Sequence, residues 1–316
     1  MKSDSNPLLI LSRNAARYAR VVASRRIEGL TWHAAETAEE AREAARRAAI
    51  ILGDPPLVAA VLGDAPELQW IQSTYAGVDA LLPLPPEHRF VLTNVKEVFG
   101  PLISEYVFGY ILALERSLFE MRENQRQRIW QEMPYRSLKG RCLGICGTGD
   151  IGRHLARTAR HFGMTSWGWR RRRTPCPDVD RLFHPNAFRE FLAGPDYMVI
   201  TLPLTPETHG RFDETAFSAM KETAVLINVG RGGIVAEADL VRAIQQGQIR
   251  GAVLDVFETE PLPDESPLWT LPGVFVTPHN AAFSFADDIV AIFLKNYRRF
   301  VRGEPLQHVV NVDQGY

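Results

Sequence analysis

The stretch Cys142-Leu143-Gly144-Ile145-Cys146-Gly147-Thr148-Gly149-Asp150-Ile151-Gly152 is an apolar run followed by a GxGxxG pattern, and helix-compatible residues 154–161 come next. In a strand–turn–helix unit the first glycine permits a tight turn, the second lets backbone N–H groups approach a pyrophosphate, and the third lets the helix pack on the strand. The N-terminus of that helix faces the anion. We therefore predict a dinucleotide-binding turn rather than a purely structural one. The cofactor-binding residues expected here are Gly147, Gly149, Asp150, Ile151 and Gly152.

The next β-rich run, 165–169, leads into Arg170-Arg171-Arg172-Arg173, and no carboxylate follows it. An acidic residue at this point of a dinucleotide-binding unit would hydrogen-bond the ribose of NAD. An arginine instead binds a 2′-phosphate through charge-assisted hydrogen bonds. The pattern favours NADP(H) over NAD(H), with Arg170, Arg171 and Arg172 as candidate ligands. NAD(H) use, a solvated basic loop and a nucleic-acid patch remain alternatives.

Beyond Lys139-Gly140 the chain alternates short β-rich runs with helix-length segments or turns. The runs are 142–146, 165–169, 197–202, 224–229, 251–256 and 274–277. Strands that alternate with helical crossovers predict an α/β fold with a doubly wound parallel sheet.

The first hundred residues and the end of the chain indicate a second, smaller domain. We expect strands at 7–12, 68–73 and 90–93, an amphipathic helix at 33–50, a long apolar helix at 100–118, an amphipathic helix at 287–302 and a returning strand at 309–312. The sequence thus predicts two Rossmann-like domains. The discontinuous substrate (catalytic) domain would comprise 1–99 and 281–316, and the dinucleotide-binding domain 100–280.

Composition excludes several classes of protein. The 316 residues include 36 basic and 37 acidic side chains, and a nucleic-acid-binding protein would usually show a basic excess. The three cysteines have no zinc-ligand spacing, so neither a disulfide scaffold nor a metal site is expected. With no signal-peptide core and no apolar stretch long enough to span a membrane, the sequence predicts a cytoplasmic protein.

Ionisable residues follow several of the β-rich runs, at the edge where open parallel sheets bind ligands. They are Arg231, Asp255, Glu260 and His279, with Glu258 competing with Glu260 for the carboxylate role. An arginine, a histidine and a carboxylate in one cleft suffice to reduce a 2-keto acid, because the arginine holds the substrate carboxylate and the imidazolium donates a proton. The carboxylate raises the pKa of the imidazole. Each of these residues taken alone is ambiguous, since a single histidine is more often structural than catalytic and an aspartate here can simply cap; their shared location favours a site.

Four linked motifs make the chain resemble the D-isomer-specific 2-hydroxyacid dehydrogenase family. They are Gly147–Gly152, Asn228–Gly232, Leu254–Pro261 and Thr277–His279. Within the family, Pro261–Pro263, Glu265–Trp269 and the closing Gly315-Tyr316 are most similar to the glyoxylate/hydroxypyruvate reductase branch.

The resemblance implies roles for individual residues. His279 would be the proton donor, Glu260 its partner, Arg231 the substrate anchor and Asp255 a contact of the nicotinamide carboxamide. The glycine-containing loop 75–79 would offer backbone N–H groups to the substrate carboxylate. The substrate-binding residues expected from the resemblance are Tyr75, Ala76, Gly77, Arg231 and His279, and further cofactor-binding residues are Pro203, Val229, Gly230, Arg231, Asp255 and His279.

The resemblance also implies a homodimer joined through the nucleotide-binding domains. Three features depart from the family pattern: Arg170 replaces an acidic residue, the segment 94–100 is atypical, and Tyr75 is bulky for a substrate loop. Tyr75 either narrows the pocket toward small acids or packs against its wall.

These observations predict an oxidoreductase that reduces a small 2-keto acid, such as glyoxylate or hydroxypyruvate, to the D-2-hydroxy acid with NADPH. One alternative is an NAD(P)H-sensing, corepressor-like interaction protein on the same fold. Another is an NAD-linked dehydrogenase of a phosphorylated hydroxy acid, which Arg170 disfavours.

Overall fold

The computed structural model describes residues 6–84, 89–171 and 173–312. Arg172 and the closing Gly315-Tyr316 lie outside these residues. The chain divides into two compact units, residues 1–98 with 284–316, and residues 99–283. These bounds fall within three residues of those expected from the sequence, and the functions assigned to the two units stay predictions.

The strands and helices are numbered in chain order. The strands are β1 (Asn6–Leu11), β2 (Leu30–Ala35), β3 (Ile50–Gly53), β4 (Trp70–Ser73), β5 (Val91–Thr93), β6 (Cys142–Cys146), β7 (Thr165–Trp169), β8 (Arg181–Phe183), β9 (Tyr197–Ile200), β10 (Val225–Asn228), β11 (Gly251–Leu254) and β12 (Val274–Val276). The helices are α1 (Ala15–Ser24), α2 (Ala38–Ala45), α3 (Pro55–Val61), α4 (Phe99–Glu115), α5 (Leu118–Gln127), α6 (Asp150–His161), α7 (Phe188–Leu192), α8 (Glu214–Ser218), α9 (Glu237–Gln245) and α10 (Ala286–Val301).

Residues 99–283 form a seven-stranded sheet of order β12-β11-β10-β9-β6-β7-β8, with every pair parallel. Strands β6, β9, β10 and β11 are buried along their whole length, which explains their continuous apolar sequences. The chain order reverses between β6 and β9. In an open α/β sheet a ligand binds beyond the strand ends at such a point.

The other unit contains a five-stranded parallel sheet of order β2-β1-β3-β4-β5. Its core contains the β1 and β3 side chains packed with alanines of α2 and with Val58 and Val61 of α3. Helix α10 also packs here, since the Phe293 ring stacks on buried Trp70 with their centroids 5.1 Å apart. The doubly wound α/β architecture predicted from the sequence is confirmed.

Several element boundaries differ from the predictions. The single helix expected at 33–50 is wrong: β2, α2 and the start of β3 occupy this segment. Four of the six β2 residues are exposed, so this edge strand lacks the alternation that would have revealed it. Strand β8 was also missed, because three residues are too few to show a period. The tail forms one antiparallel bridge, Thr93 to Val309, rather than a strand.

Candidate active site

The glycine turn between β6 and α6 depends on close backbone contacts. Gly147 has φ of +109°, a region that side chains rarely allow. A Cβ on Gly152 would lie 2.1 Å from the Gly147 carbonyl oxygen, so only glycine lets α6 start so close to the turn. Asp150 and Ile151 form the first turn of α6. The fold itself therefore requires glycine at positions 147 and 152, the first and third glycines of the pattern.

No contact among the described residues requires glycine at position 149, the middle glycine, and its surroundings fit a dinucleotide. A Cβ on Gly149 would meet no described atom within 4 Å, and its φ of −78° is open to other residues. The space beside it lies at the N-terminus of α6, where a phosphate binds favourably. The neighbouring Thr148 hydroxyl is buried without a hydrogen-bond partner in the described part of the chain. The turn thus leaves both room and a polar group for a ligand.

The predicted phosphate ligands follow β7. Arg170 is half-buried, and its guanidinium donates a hydrogen bond to the Thr174 hydroxyl at 2.6 Å. Arg171 is exposed, and Arg172 lies outside the described residues. The contact with Thr174, which the sequence did not suggest, orients the Arg170 fork at the end of β7.

The loops after β9 and β10 approach each other closely at the same sheet edge. A Cβ on Gly230 would lie 2.8 Å from the Leu202 carbonyl oxygen, and the Val229 N–H bonds to the Ile200 carbonyl at 3.2 Å. Pro203 is in the first of these loops, and its carbonyl accepts a 2.8 Å hydrogen bond from the Thr208 hydroxyl. Pro203, Val229 and Gly230 therefore lie near one another.

Arg231 is fixed through its backbone by Asn228, the first residue of the motif Asn228–Gly232. The Asn228 side chain donates to the Arg231 carbonyl at 3.0 Å and accepts from the Gly230 N–H at 3.1 Å. On the other side, a Cβ on Gly232 would lie 1.8 Å from the Phe257 carbonyl carbon. Asparagine and glycines thus define the backbone position from which the Arg231 side chain extends.

Asp255, which follows β11, holds the turn that contains His279. Its buried carboxylate accepts hydrogen bonds from the Thr277 hydroxyl at 2.6 Å and from the N–H groups of Asn280 and Ala281, both at 2.9 Å. The His279 N–H bonds to the Asp255 carbonyl at 2.9 Å, and His279 adopts a left-handed φ of +51°. The expected carboxamide contact stays a prediction, and the carboxylate's observed partners belong to the turn itself.

Tyr106 of α4 adds a contact to the same turn. Its hydroxyl lies 2.6 Å from the Thr277 hydroxyl, which in turn bonds to Asp255. Sequence reasoning missed Tyr106, because the long apolar pattern of α4 indicates only packing.

His279 and Glu260 form the central pair of the site, with 2.7 Å between Nδ1 and Oε2. The hydrogen bond that His279 donates to the Glu260 carboxylate raises the pKa of His279 above its usual value, against the opposite effect of burial. Burial acts to raise the pKa of Glu260, but hydrogen bonds from His279 and the Phe257 N–H, together with charge effects, bring it below its ordinary value. The paired state of imidazolium and carboxylate is therefore favoured near neutral pH.

The structure distinguishes Glu258 from Glu260, the two candidates for the carboxylate partner of His279. Glu258 exchanges hydrogen bonds with Glu237, through the backbone N–H of each residue. Glu260 instead faces His279 and accepts from the Phe257 N–H at 3.1 Å. The positive charge of Arg231 lowers the pKa of both His279 and Glu260, which brings Arg231 into the same group.

The predicted substrate loop belongs to the other unit and begins after β4. The N–H groups of Ala76, Gly77 and Val78 have no acceptor among the described residues. The Asn94 side chain holds the loop by donating to the Ala76 carbonyl at 2.8 Å. Successive unpaired N–H groups are suited to binding an anion.

Neither a membrane-spanning helix nor a cluster of metal ligands occurs among the residues that the structure describes, 6–84, 89–171 and 173–312. Among them no helix is both long and apolar enough to cross a lipid bilayer. These same residues contain no group of three or more His, Cys, Asp or Glu side chains arranged to hold a metal ion. Cys142, Cys146 and Cys176 are buried and free.

The fold and these side chains define a dinucleotide-binding oxidoreductase with a histidine–carboxylate pair. Residues 108–281 match the family model of the D-isomer specific 2-hydroxyacid dehydrogenase, NAD binding domain. The chain belongs to the D-isomer specific 2-hydroxyacid dehydrogenase family.

Relatives and solved structures are similar over much of the chain. A glyoxylate/hydroxypyruvate reductase A of Photorhabdus laumondii is 35% identical over 217 residues, 69% of each chain. A family member from Aeromonas salmonicida is 44% identical with a TM-score of 0.93, over 98% of this chain and 100% of that one. The NADPH-dependent glyoxylate/hydroxypyruvate reductase of Sinorhizobium meliloti, solved with NADP and sulfate, is 29% identical with a TM-score of 0.87, over 99% and 100%.

Proposed function

We propose that the protein reduces a small 2-keto acid of the glyoxylate/hydroxypyruvate type to the D-2-hydroxy acid, using NADPH. The observation that supports this most directly is the 2.7 Å pair of His279 and Glu260, grouped with Arg231 beyond the strand ends of the sheet that contains the glycine turn. The named activity of the Photorhabdus and Sinorhizobium relatives supports the same substrate class.

In this proposal His279 donates the proton. The carbonyl oxygen of the substrate becomes an alkoxide as it is reduced, and an imidazolium at that oxygen neutralises the charge. Glu260 keeps the imidazole protonated by raising its pKa and fixes the ring by accepting from Nδ1, which leaves Nε2 for the substrate. Arg231 holds the substrate carboxylate, since a guanidinium fork matches it.

Residues 99–283 would bind the dinucleotide, which supplies the hydride. Gly149 and the N-terminus of α6 would bind the pyrophosphate. Arg170, together with Arg171 and Arg172, would bind the 2′-phosphate. Pro203, Val229 and Gly230 would line the same site, and Asp255 would position His279 as well as meet the carboxamide. NADH remains a second cofactor, because nothing at the glycine turn itself selects the phosphate.

Residues 1–98 and 284–316 would bind the substrate through the loop 75–79. Tyr75, Ala76 and Gly77 are the residues concerned, and the unpaired N–H groups of Ala76 and Gly77 would meet the substrate carboxylate.

We also propose a homodimer joined through residues 99–283. An apolar surface on α5 and the segment after it is exposed, and Trp130 is wholly so. Its large apolar side chains are Leu118, Phe119, Met121, Ile129, Trp130 and Tyr135. Buried Glu115 anchors this segment through two hydrogen bonds from Arg136, at 2.7 and 2.8 Å. A fixed apolar surface of this kind is typical of a protein–protein contact. We further propose that the protein is cytoplasmic and that it has no nucleic-acid partner.

The test is the initial rate of NADPH and NADH oxidation with glyoxylate, hydroxypyruvate and pyruvate, followed by absorbance. Turnover that is faster with NADPH than with NADH supports both the reaction and the arginine argument. NADPH binding without turnover of any of these acids would contradict the enzyme and favour a dinucleotide-sensing protein. Turnover confined to a phosphorylated acid with NADH would favour the NAD-linked dehydrogenase.

A further inference from the structure

The turn that contains His279 is held from helix α4 as well as from Asp255. Tyr106 lies near the middle of α4, and Thr277 is the residue that follows β12. The hydroxyl oxygens of Tyr106 and Thr277 are 2.6 Å apart, and the Thr277 hydroxyl lies 2.6 Å from Asp255 Oδ1. A helix and the ends of two strands thus converge on one threonine, shortly before His279.

The direction of these hydrogen bonds follows from the chemistry of the three groups. A carboxylate only accepts, so the single hydroxyl proton of Thr277 is donated to Asp255. The Thr277 oxygen then accepts from Tyr106, and the phenol is the donor. Burial holds the pKa of Tyr106 above its ordinary value, so the phenol keeps the proton that it donates. Tyr106, Thr277 and Asp255 together form the hydroxyl chain.

The phenol at the far end of the hydroxyl chain strengthens the bond that Thr277 makes to Asp255. Hydrogen bonds in series polarise one another, and a bond to an ionised acceptor is stronger than one between neutral groups. Asp255 is buried, so its carboxylate depends on protein donors. Oδ1 accepts from Thr277 and the Asn280 N–H, and Oδ2 accepts from the Ala281 N–H. Thr277 is therefore one of three described donors that fix this carboxylate against the turn.

The backbone of His279 is in a conformation that needs such support. Its φ of +51° lies in the left-handed region, which costs free energy for a residue with a side chain. Its N–H is shared between the carbonyls of Asp255 at 2.9 Å and Thr277 at 3.1 Å. Glu260 fixes the imidazole through Nδ1, whereas Asp255 and Thr277 fix the backbone that carries it. The direction in which Nε2 points depends on both.

We infer that Tyr106 is a positioning residue for His279: through Thr277 and Asp255 it holds the turn in the orientation from which the imidazole delivers its proton. The inference rests on the proposed function, since it takes His279 as the proton donor. A small misplacement of a reacting group lowers the rate of the chemical step. Tyr106 thus sets kcat, and the pKa of His279 is left to Glu260.

The experiment compares Tyr106→Phe with the matched control Tyr110→Phe. Tyr110 lies one turn further along α4, and its ring centroid is 5.0 Å from that of Tyr106 and 5.8 Å from that of Phe275 in β12. The Tyr110 hydroxyl makes no hydrogen bond with the residues that the structure describes. The two variants remove the same oxygen from the same helix, and only Tyr106→Phe breaks the hydroxyl chain.

We expect Tyr106→Phe to lower kcat about three- to tenfold, the size of one lost hydrogen bond, with KM for NADPH within about twofold. The alkaline limb of its pH profile should not move, because Glu260 still pairs with His279. Tyr110→Phe should match the wild-type protein. Thr277→Val should lower kcat at least as much as Tyr106→Phe does, and Thr277→Ser, which keeps the hydroxyl, should retain it.

The double variant separates positioning from a purely structural role. Adding Tyr106→Phe to Thr277→Val should cost no further activity, because the hydroxyl chain is already broken. A purely structural role predicts lower melting temperatures with an unchanged kcat of the folded enzyme. Full kcat in Tyr106→Phe, an equal loss in Tyr110→Phe, or additive losses in the double variant would overturn the inference while leaving the reductase intact.

Amide hydrogen exchange tests the link to the turn without turnover. The N–H groups of Asn280 and Ala281 are bonded to Asp255, so a peptide that contains them should exchange faster in Tyr106→Phe than in the wild-type protein or Tyr110→Phe. Unchanged exchange in Tyr106→Phe contradicts the inference. Absence of turnover of every keto acid by the wild-type protein would instead count against the proposed function.

Discussion

His279 Nδ1 lies 2.7 Å from Glu260 Oε2, although Glu260 lies between β11 and β12 and His279 follows β12. Two further contacts fix this relationship. The Phe257 N–H donates to the second carboxylate oxygen of Glu260 at 3.1 Å. The Asp255 carboxylate holds the turn after β12 by accepting from the backbone N–H groups of Asn280 and Ala281. The imidazole is thus oriented by groups that do not themselves need to move during a reaction.

Glu260→Gln should shift the pH dependence of keto-acid reduction. Reduction needs protonated His279, so its rate falls as the pH rises through the His279 pKa, which Glu260 holds above its ordinary value. Removing the carboxylate lowers that pKa and moves the alkaline limb of kcat/KM to lower pH. At pH 8 the loss should be about tenfold, and at pH 6 smaller.

The matched control for this variant is Glu258→Gln, because Glu258 pairs with Glu237 and not with His279. Its pH profile should match that of the wild-type protein. An unchanged profile in Glu260→Gln, or an equal shift in the control, would remove Glu260 from its assigned role.

His279→Ala should lower kcat by about 10²–10⁴-fold, the usual contribution of a general acid. The affinity for NADPH, measured by fluorescence titration, should change little because the glycine turn and Arg170 are untouched. His33→Ala, an exposed histidine of β2, is the control. A His279→Ala protein that keeps most of its turnover would show that another group supplies the proton.

How much could be predicted from the sequence depends on how local the cause is. The glycine turn was found because φ at Gly147 and the packing of Gly152 are dictated within six residues. The strands that are buried on both faces could be predicted from the sequence for the same reason. Edge strand β2 was missed by the sequence prediction, because most of its side chains are exposed and its apolar pattern is weak.

The supporting contacts of the site could not be predicted, because they join residues distant in the chain. Asp54 meets Thr74 across 20 positions, and Tyr106 meets Thr277 across 171. The sequence suggested a carboxylate at 255 as a ligand contact, and only the fold showed how many N–H groups of the His279 turn it binds. Polar side chains of this kind have no periodicity that separates them from exposed ones.

Arg170→Asp should weaken NADPH and spare NADH. A carboxylate at this point repels the 2′-phosphate, and the loss of one charge-assisted hydrogen bond raises KM for NADPH about tenfold or more. Kinetics with both cofactors measure the ratio. Arg189→Asp, the same change of charge at an exposed position of α7, should leave it unaltered. Parallel losses for NADPH and NADH in Arg170→Asp would contradict a phosphate role.

Gly149→Ala should separate cofactor binding from folding. A methyl group there meets no described atom within 4 Å, so the melting temperature without cofactor should stay close to that of the wild-type protein. The same methyl would occupy the space proposed for the pyrophosphate, so the stabilisation produced by NADPH should be lost. Thermal unfolding with and without NADPH measures both quantities.

Two other alanine variants calibrate this result. Gly152→Ala should destabilise the free protein by about 1–3 kcal/mol, because its Cβ would lie 2.1 Å from the Gly147 carbonyl oxygen. Gly109→Ala, in an open position of α4, should stabilise the free protein slightly, by up to about 1 kcal/mol, and leave the NADPH-induced stabilisation unchanged. Full NADPH stabilisation of Gly149→Ala would place the pyrophosphate elsewhere.

Trp130→Glu should convert a dimer into monomers. Trp130 is the most exposed side chain of the apolar surface formed by α5 and the segment after it, and a carboxylate there cannot be buried against a partner without a large desolvation cost. Light scattering after size exclusion should give twice the 35.5 kDa chain mass for the wild-type protein and the single mass for the variant. Trp32→Glu, at an exposed position of β2, is the matched control and should remain dimeric. A wild-type monomer, or a Trp130→Glu dimer, would show that this surface does not join two copies of the chain.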